Sequence, residues 1–115
     1  MHELAVCQGM LAQVARIASE HRAHAVTQIH LRIGPLSGVE PELLVQAFPI
    51  ASAGTLAEGA ALVVESLPIR IRCEACGRGS EAAASNDLRC RHCGHWRTRL
   101  LSGDELLLGE VELEK

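Results

Sequence analysis

The chain has 115 residues, a formal net charge of −3 and an apolar content of 48%. That length fits one small domain, or one core with an appended module. The acidic balance argues against a generic binder of polyanions such as nucleic acid. No apolar run reaches the roughly 20 residues that span a bilayer, and the N-terminus lacks the basic-then-apolar pattern of a signal peptide. We therefore expect a cytoplasmic protein with no membrane partner.

Two segments near the N-terminus predict a helix followed by a strand. Apolar residues recur at three- and four-residue spacing in the first segment, which is typical of a helix with one buried face; they are Leu4, Cys7, Leu11, Val14 and Ala18. Residues 26–33 then alternate between apolar and polar side chains, as in a strand with one solvated face, and Gly34-Pro35 ends that strand. His21 and His24, which lie between the two segments, are interpreted as exposed residues at the helix end.

The rest of the chain predicts a second helix and two further strands around a small module. Pro41 suits the first turn of the second helix, and Pro49 should kink or end it. Residues 61–73 are typical of one long strand, in which Pro68 suggests a bulge or an edge position. The alternating segment 107–113 predicts a last strand. The fold class is α/β (α+β), with a small sheet of about three strands packed against two helices.

Four of the five cysteines form two closely spaced pairs, Cys73-x2-Cys76 and Cys90-x2-Cys93, with 13 residues between the pairs. Two residues between thiolates let both sulfurs turn toward one cation, and Gly77 and Gly94 follow the pairs. Four thiolates in a tetrahedron suit Zn(II). Because this segment has few apolar residues, it cannot form a sufficient core and needs a structural metal to fold. The pattern predicts a structural zinc ribbon over residues 73–101, closed to substrate. Cys7 is interpreted as a small buried residue of the first helix.

The sequence of the module leaves three alternatives to a four-cysteine structural zinc site. Two redox disulfides are the first, but paired cysteines in a reducing compartment are more typical of metal ligands. His92 and His95 are alternative zinc ligands beside the second pair. The third is a regulatory zinc ribbon that binds nucleic acid or protein. The positive charge of the five arginines in this module is largely offset by three acidic residues and by the charge of a zinc–thiolate site. A single tryptophan also provides little surface on which bases could stack, so both observations argue against nucleic-acid binding.

The first three residues, Met1, His2 and Glu3, form a candidate metal site of another kind. A free amine, an imidazole and ionised backbone amides provide an all-nitrogen planar donor set, which suits Ni(II) or Cu(II). A six-coordinate site that includes the Glu3 carboxylate is the alternative. Glu3 is equally explained as a carboxylate favoured in the first turn of a helix, so these residues alone leave the question open.

The motifs together resemble the HypA/HybF family of hydrogenase nickel-incorporation proteins. The resemblance is carried, in chain order, by "MHEL", "IGPLSGVEPELL", "GTLAEGA", "CEACG" with "CRHCG", and "SGDELLLGEVELE". It implies a nickel-binding α/β domain at residues 1–72, an inserted zinc domain at 73–101 and a returning strand at 102–115. It further implies that His2 binds nickel with neighbouring donors from Met1 and Glu3, and that Cys73, Cys76, Cys90 and Cys93 bind zinc.

The resemblance also implies a function and a set of partners. A member of this family is expected to be a nickel metallochaperone and not an enzyme. It would work with the nickel-binding GTPase HypB and deliver Ni(II) to the precursor of the [NiFe]-hydrogenase large subunit, and urease maturation proteins are served by some relatives. Lys115 is the only lysine of the chain, so the chain has no phosphate-binding loop of its own.

Overall fold

The computed structural model describes residues 2–115 and divides them between two compact units. The first unit combines the N-terminal residues through Leu31 with Val39–Glu65 and Leu107–Lys115. The second combines Arg32–Gly38 with Ser66–Leu106. The elements are α1 His2–Glu20, β1 Ala25–Ile33, α2 Pro41–Ser52, β2 Ala61–Ser66, β3 Arg70–Cys73, β4 Gly79–Glu81, β5 Thr98–Ser102 and β6 Leu106–Glu114. Within residues 2–115, no helix has the length and apolar character needed to cross a bilayer.

The first unit is built around contacts between α1 and α2. The predicted stripe on α1 is buried from Cys7 to Ala18, and Leu44, Ala47 and Phe48 of α2 are buried as well. The side chain of Cys7 is fully buried, and its Sγ lies 3.5 Å from the Leu44 carbonyl oxygen. Of the two effects expected of Pro49, ending α2 is wrong, because the helix continues to Ser52; a kink at Pro49 stays a prediction. Since Pro49 lies in the last turn, its missing N–H removes little of the helical ladder.

The first of the two sheets has three strands in the order β2-β1-β6. The His24 amide donates to the Glu114 carbonyl (2.9 Å), whereas His30, further along β1, lies against Gly109. These pairs show that β1 and β6 are antiparallel. A β-carbon on Gly109 would lie 3.3 Å from the His30 carbonyl oxygen, so this position favours glycine.

The segment 61–73 is divided between two sheets, although its sequence predicts one strand. β2 ends at Ser66 and belongs to the first sheet, whereas β3 begins at Arg70 and is the central strand of the second. Pro68 lies in the break, where a residue without an N–H removes no ladder hydrogen bond. The buried side chain of Ile69 follows it. The break therefore lets one apolar segment supply strands to both sheets.

The second sheet has the order β4-β3-β5, and both of its pairings are antiparallel. Ile71 of β3 pairs with Ser80 of β4 and Leu100 of β5, and its side chain is only 1% exposed. Cys73 ends β3 opposite Thr98 of β5. The small apolar core around Ile71 therefore lies two residues from the first cysteine pair.

Candidate metal centre

The first cysteine pair forms a tight turn directly after β3. The amides of Ala75 and Cys76 point at the Cys73 Sγ, with N···S distances of 3.3 and 3.4 Å. The Gly77 amide donates to the Cys73 carbonyl (3.0 Å), and Gly77 has φ of 76°, which a residue with a β-carbon rarely adopts. The turn therefore carries N–H dipoles that stabilise negative charge on the Cys73 sulfur.

The second pair repeats this geometry. The amides of His92 and Cys93 point at the Cys90 Sγ at 3.4 and 3.5 Å, and the Gly94 amide donates to the Cys90 carbonyl at 2.9 Å with φ of 79° at Gly94. In both turns, the amide of the first cysteine donates to the carbonyl of the residue five positions later. The two turns are therefore equivalent halves of one site, and the glycines after each pair are the sequence signal for this geometry.

Pairing of β3 with β5 brings the two turns together. The Glu74 amide donates to the Arg97 carbonyl (3.0 Å). This hydrogen bond joins the first cysteine turn to the segment that follows the second cysteine turn. The Thr98 hydroxyl donates to the Leu88 carbonyl (2.6 Å), which fixes the segment that precedes the second turn. The cysteines are therefore positioned by strand register and not by the turns alone.

The four sulfurs form one compact cluster. Cys73 Sγ lies 3.5 Å from Cys93 Sγ, Cys76 Sγ lies 3.7 Å from Cys90 Sγ, and all four sulfurs are within 4.8 Å of one another. A tetrahedron with metal–sulfur bonds of about 2.3 Å has sulfur–sulfur edges of roughly 3.8 Å, close to these distances. A disulfide would require about 2.05 Å. The cluster is the one set of three or more potential metal ligands among residues 2–115.

The sulfurs differ in their affinity for protons. The amides of Cys93 and His92 lower the pKa of the Cys90 thiol to about 6, against the opposing effect of burial. The amides of Cys76 and Ala75 likewise lower the pKa of Cys73. The His95 amide lowers the pKa of Cys93, but the neighbouring sulfurs and burial together raise it to about 11. The cluster therefore holds negative charge readily on Cys90 and resists placing a charge on every sulfur at once, whereas a bound cation would favour full ionisation.

The two histidines beside the second turn lie outside the sulfur cluster. Nδ1 of His95 accepts a hydrogen bond from the Arg97 amide (3.0 Å), and its ring stacks on Trp96 with 5.8 Å between ring centroids. Cys7 is also separate, and burial raises the pKa of its thiol. The candidate ligand set is therefore the four cysteines without a histidine.

The candidate nickel residues lie at the start of α1. Met1 is outside the described residues; His2 is the exposed first residue of α1, and Glu3 follows it in the first turn. One carboxylate oxygen of Glu3 accepts a hydrogen bond from the Glu40 amide (3.4 Å), at the N-terminal boundary of α2. The sequence pattern did not predict this contact, because it joins residues that are 37 positions apart.

An α+β fold with four convergent cysteine sulfurs defines a small metal-binding protein. A profile of the family described as "Hydrogenase/urease nickel incorporation, metallochaperone, hypA" matches residues 1–113. The hydrogenase maturation factor HypA of Nitrosospira multiformis is 52% identical over 113 residues, which cover 98% of this chain and 97% of that protein. HypA of Aquifex aeolicus is 41% identical over 114 residues, covering 99% and 98% of the two chains. The chain therefore belongs to the HypA family of hydrogenase and urease nickel-incorporation metallochaperones, as the motifs predicted.

Solved structures share this fold. The solution structure of the Ni metallochaperone HypA from Helicobacter pylori superposes with a TM-score of 0.70 at 22% identity and covers 97% of both chains. A second solution structure of a HypA protein gives a TM-score of 0.73 at 23% identity, with 98% of this chain and 96% of that chain covered. The predicted fold class is confirmed.

Proposed function

We propose that this protein carries Ni(II) at its N-terminus and delivers it to the precursor of the [NiFe]-hydrogenase large subunit. Its nickel ligands would be the Met1 amine, the His2 imidazole and the backbone nitrogens of His2 and Glu3. Cys73, Cys76, Cys90 and Cys93 would hold Zn(II) as a structural ion. Cysteines persist as thiols in a reducing compartment, so the proposed location is the cytoplasm.

The observation that carries the nickel proposal is the position at which α1 begins. The first four N–H groups of an α-helix have no acceptor within the helix. Because α1 starts at His2, the amides of His2 and Glu3 are among these groups. Metal binding that replaces their protons therefore breaks no hydrogen bond of the helical ladder. The His2 imidazole belongs to the same turn and is exposed, so all the proposed donors lie within one short stretch of backbone.

The contact between Glu3 and Glu40 favours the planar all-nitrogen set. The Glu3 carboxylate already accepts a hydrogen bond from the Glu40 amide at the boundary of α2. Using that carboxylate as a ligand would compete with this contact, whereas the Glu3 backbone nitrogen is not involved in it. We therefore assign Glu3 to the site through its amide.

The sulfur cluster fits Zn(II) in both ligand number and spacing. Four cysteine sulfurs at tetrahedral separations fill the coordination sphere that structural zinc prefers and leave no open position for a substrate. The four amide-to-sulfur contacts stabilise the charge of the thiolates. The proposed role of this site is therefore structural, and nickel transfer would not pass through it.

Delivery would proceed by ligand exchange. Because His2 is exposed, donors of an acceptor protein can approach the nickel before the first ligands leave. The proposed partners are the nickel-binding GTPase HypB and the hydrogenase precursor, and the name of the family extends the set to urease maturation proteins. With Lys115 as its only lysine, the chain lacks the lysine of a phosphate-binding loop. We therefore propose that it is not an enzyme and that GTP hydrolysis belongs to the partner.

Nickel titration of three tag-free proteins tests this proposal. They are the wild type, a form extended by one residue before Met1, and His2→Ala. The extension converts the amine into an amide, and the substitution removes the imidazole, so each should weaken nickel binding by at least about tenfold. Zinc content, assayed in parallel, should stay unchanged. His21→Ala, which removes an exposed imidazole at the far end of α1, is the matched control. Equal nickel affinity in all four proteins would rule out the N-terminal site.

A further inference from the structure

The outer face of the second sheet carries arginines from two neighbouring strands. Arg72 of β3 pairs directly with Arg99 of β5, and residues that face each other in an antiparallel pair lie on the same side of the sheet. Arg70 lies two residues from Arg72 on β3 and shares its face, because side chains alternate along a strand. All three residues are exposed, whereas Ile71 and Cys73 on the opposite face are buried. Arg97, also exposed, lies two residues before Arg99 and directly before β5. We call the side formed by Arg70, Arg72, Arg97 and Arg99 the arginine face.

The pair of like charges at the centre of this face costs stability. Side chains directly opposite in a sheet have β-carbons about 4.5–5.5 Å apart, and like charges on directly opposed residues are destabilising. One Arg72 nitrogen donates to the Gly77 carbonyl (3.2 Å), but no carboxylate among residues 2–115 forms an ion pair with Arg72 or Arg99. A sheet that only had to fold would be more stable with an opposite charge at one of these positions.

Acidic residues near the face neutralise only part of its charge. Glu81 pairs with Arg70 in the strand register, and Glu74 lies 3.9 Å from Arg97. The face therefore has four positive charges and only two negative charges near them. The whole second unit has eight arginines and five acidic residues, and a zinc site with four thiolates would offset about two of its three excess positive charges, whereas the first unit has three basic and nine acidic residues. The positive charge of this acidic protein is thus concentrated in the second unit.

Apolar side chains border the arginine face. Trp96 is 74% exposed and has the Arg97 guanidinium 5.9 Å from its ring centre. Leu101, at the irregularity in the pairing of β3 with β5, is 47% exposed. Exposed tryptophan and arginine together are typical of protein interfaces, in which a few aromatic and arginine residues supply most of the binding energy. β5 is also an edge strand of the second sheet, a position at which an extended segment can add by strand pairing.

We infer that the arginine face is a docking surface for an acidic, extended segment of a partner protein. Alternating carboxylates on such a segment would lie about 6.6–6.8 Å apart, which matches the separation of Arg70 and Arg72 along β3. They would also relieve the repulsion between Arg72 and Arg99. A protein segment fits better than nucleic acid, because two carboxylates interrupt the face and the chain has a net charge of −3. The inference is independent of the nickel ligands.

The test measures binding of labelled probes to the zinc-loaded full-length protein. The first probe is a short peptide of alternating glutamate and leucine, and its control peptide has glutamine in place of glutamate. The second probe is single-stranded oligothymidine. Arg72→Glu/Arg99→Glu is compared with Arg16→Glu/Arg22→Glu, which changes net charge equally at exposed positions of the first unit. We expect the acidic peptide to bind, the glutamine peptide not to bind, and affinity to fall at least about tenfold only in the Arg72/Arg99 variant.

Arg99→Gln provides a second measurement that does not depend on charge reversal. It removes the repulsion and breaks no ion pair of Arg99 among residues 2–115, so it should not lower the thermal midpoint while it weakens peptide binding. A lowered midpoint would give the arginine a structural role and overturn the inference. Tighter binding of oligothymidine than of the peptide, lost in the same variants, would overturn it in favour of nucleic acid. Absence of peptide binding above the glutamine control would also overturn it.

Discussion

Gly34 lies against Gly103 so closely that a β-carbon on Gly34 would overlap the Gly103 carbonyl group. Hydrogen bonds fix this approach, since the Gly34 amide donates to the Glu105 carbonyl (2.8 Å) and the Leu36 amide donates to the Gly103 carbonyl (2.7 Å). Gly103 has φ of 119°, and a β-carbon there would lie 3.0 Å from Ile69 atoms. The segment after β1 and the turn before β6 are therefore joined where neither residue can carry a side chain.

The first prediction follows from this contact. Gly34→Ala should lower the free energy of unfolding by about 1–3 kcal/mol or more, because the methyl group must displace backbone. Gly9→Ala is the control: apart from the neighbouring backbone of its own helix, no atom lies within 4 Å of a β-carbon placed on Gly9, which is in the interior of α1. That change should raise stability by about 0.8–1 kcal/mol. Urea unfolding of both variants measures the difference, and equal effects would contradict the close approach.

The second prediction concerns the cysteines of the metal centre. Cys76→Ala or Cys93→Ala removes one of four sulfurs and should abolish the binding of about one zinc ion per chain and unfold residues 73–101, because binding and folding of so small a module are coupled. Cys7→Ala removes a thiol that belongs to the α1–α2 packing and should retain zinc. Metal analysis and amide exchange give both outcomes. Zinc retained in either cluster variant would refute the four-cysteine assignment.

Local features of the chain could be predicted from sequence. The stripe from Cys7 to Ala18 is buried as expected, because helical periodicity depends only on residues close in sequence. The two cysteine turns were likewise predictable, since each pair and its following glycine specify a turn, whereas their convergence also depends on the pairing of β3 with β5. The assignment of zinc to this cluster, and the division into residues 1–72, 73–101 and 102–115, stay predictions.

Features that depend on contacts distant in sequence could not be predicted. The break at Pro68 reflects two competing sheets, and neither is visible in the segment 61–73 itself. The pairing of Arg72 with Arg99 requires the register of β3 and β5. The contact of Glu3 with Glu40 requires the packing of α1 near the start of α2. Each of these features is determined by contacts between segments far apart in the chain, and the local sequence of one segment does not specify them.

The third prediction concerns protons at the sulfur cluster. With the pKa of Cys93 raised to about 11 by its sulfur neighbours and burial, against the His95 amide, the metal-free cluster retains protons at neutral pH. Zinc must displace them, so zinc affinity should fall as the pH falls. Below about pH 6 the Cys90 sulfur, whose pKa the Cys93 amide lowers to about 6, also takes up a proton, and the loss should become steeper. Chelator competition across pH measures this, and an affinity independent of pH would contradict thiolate ligation.

The last prediction separates the two ways in which Glu3 could serve the nickel site. Its carboxylate accepts a hydrogen bond from the Glu40 amide, whereas its own amide belongs to the unpaired first turn of α1. If Glu3 contributes only its backbone nitrogen, Glu3→Gln should change nickel affinity by less than about threefold, which is below 1 kcal/mol. The absorption spectrum of planar nickel should also be unchanged, because the donor atoms are the same. His2→Ala, measured alongside, should lose both signals. A large loss of affinity in Glu3→Gln with a change of spectrum would instead place the carboxylate on the metal and favour the six-coordinate site.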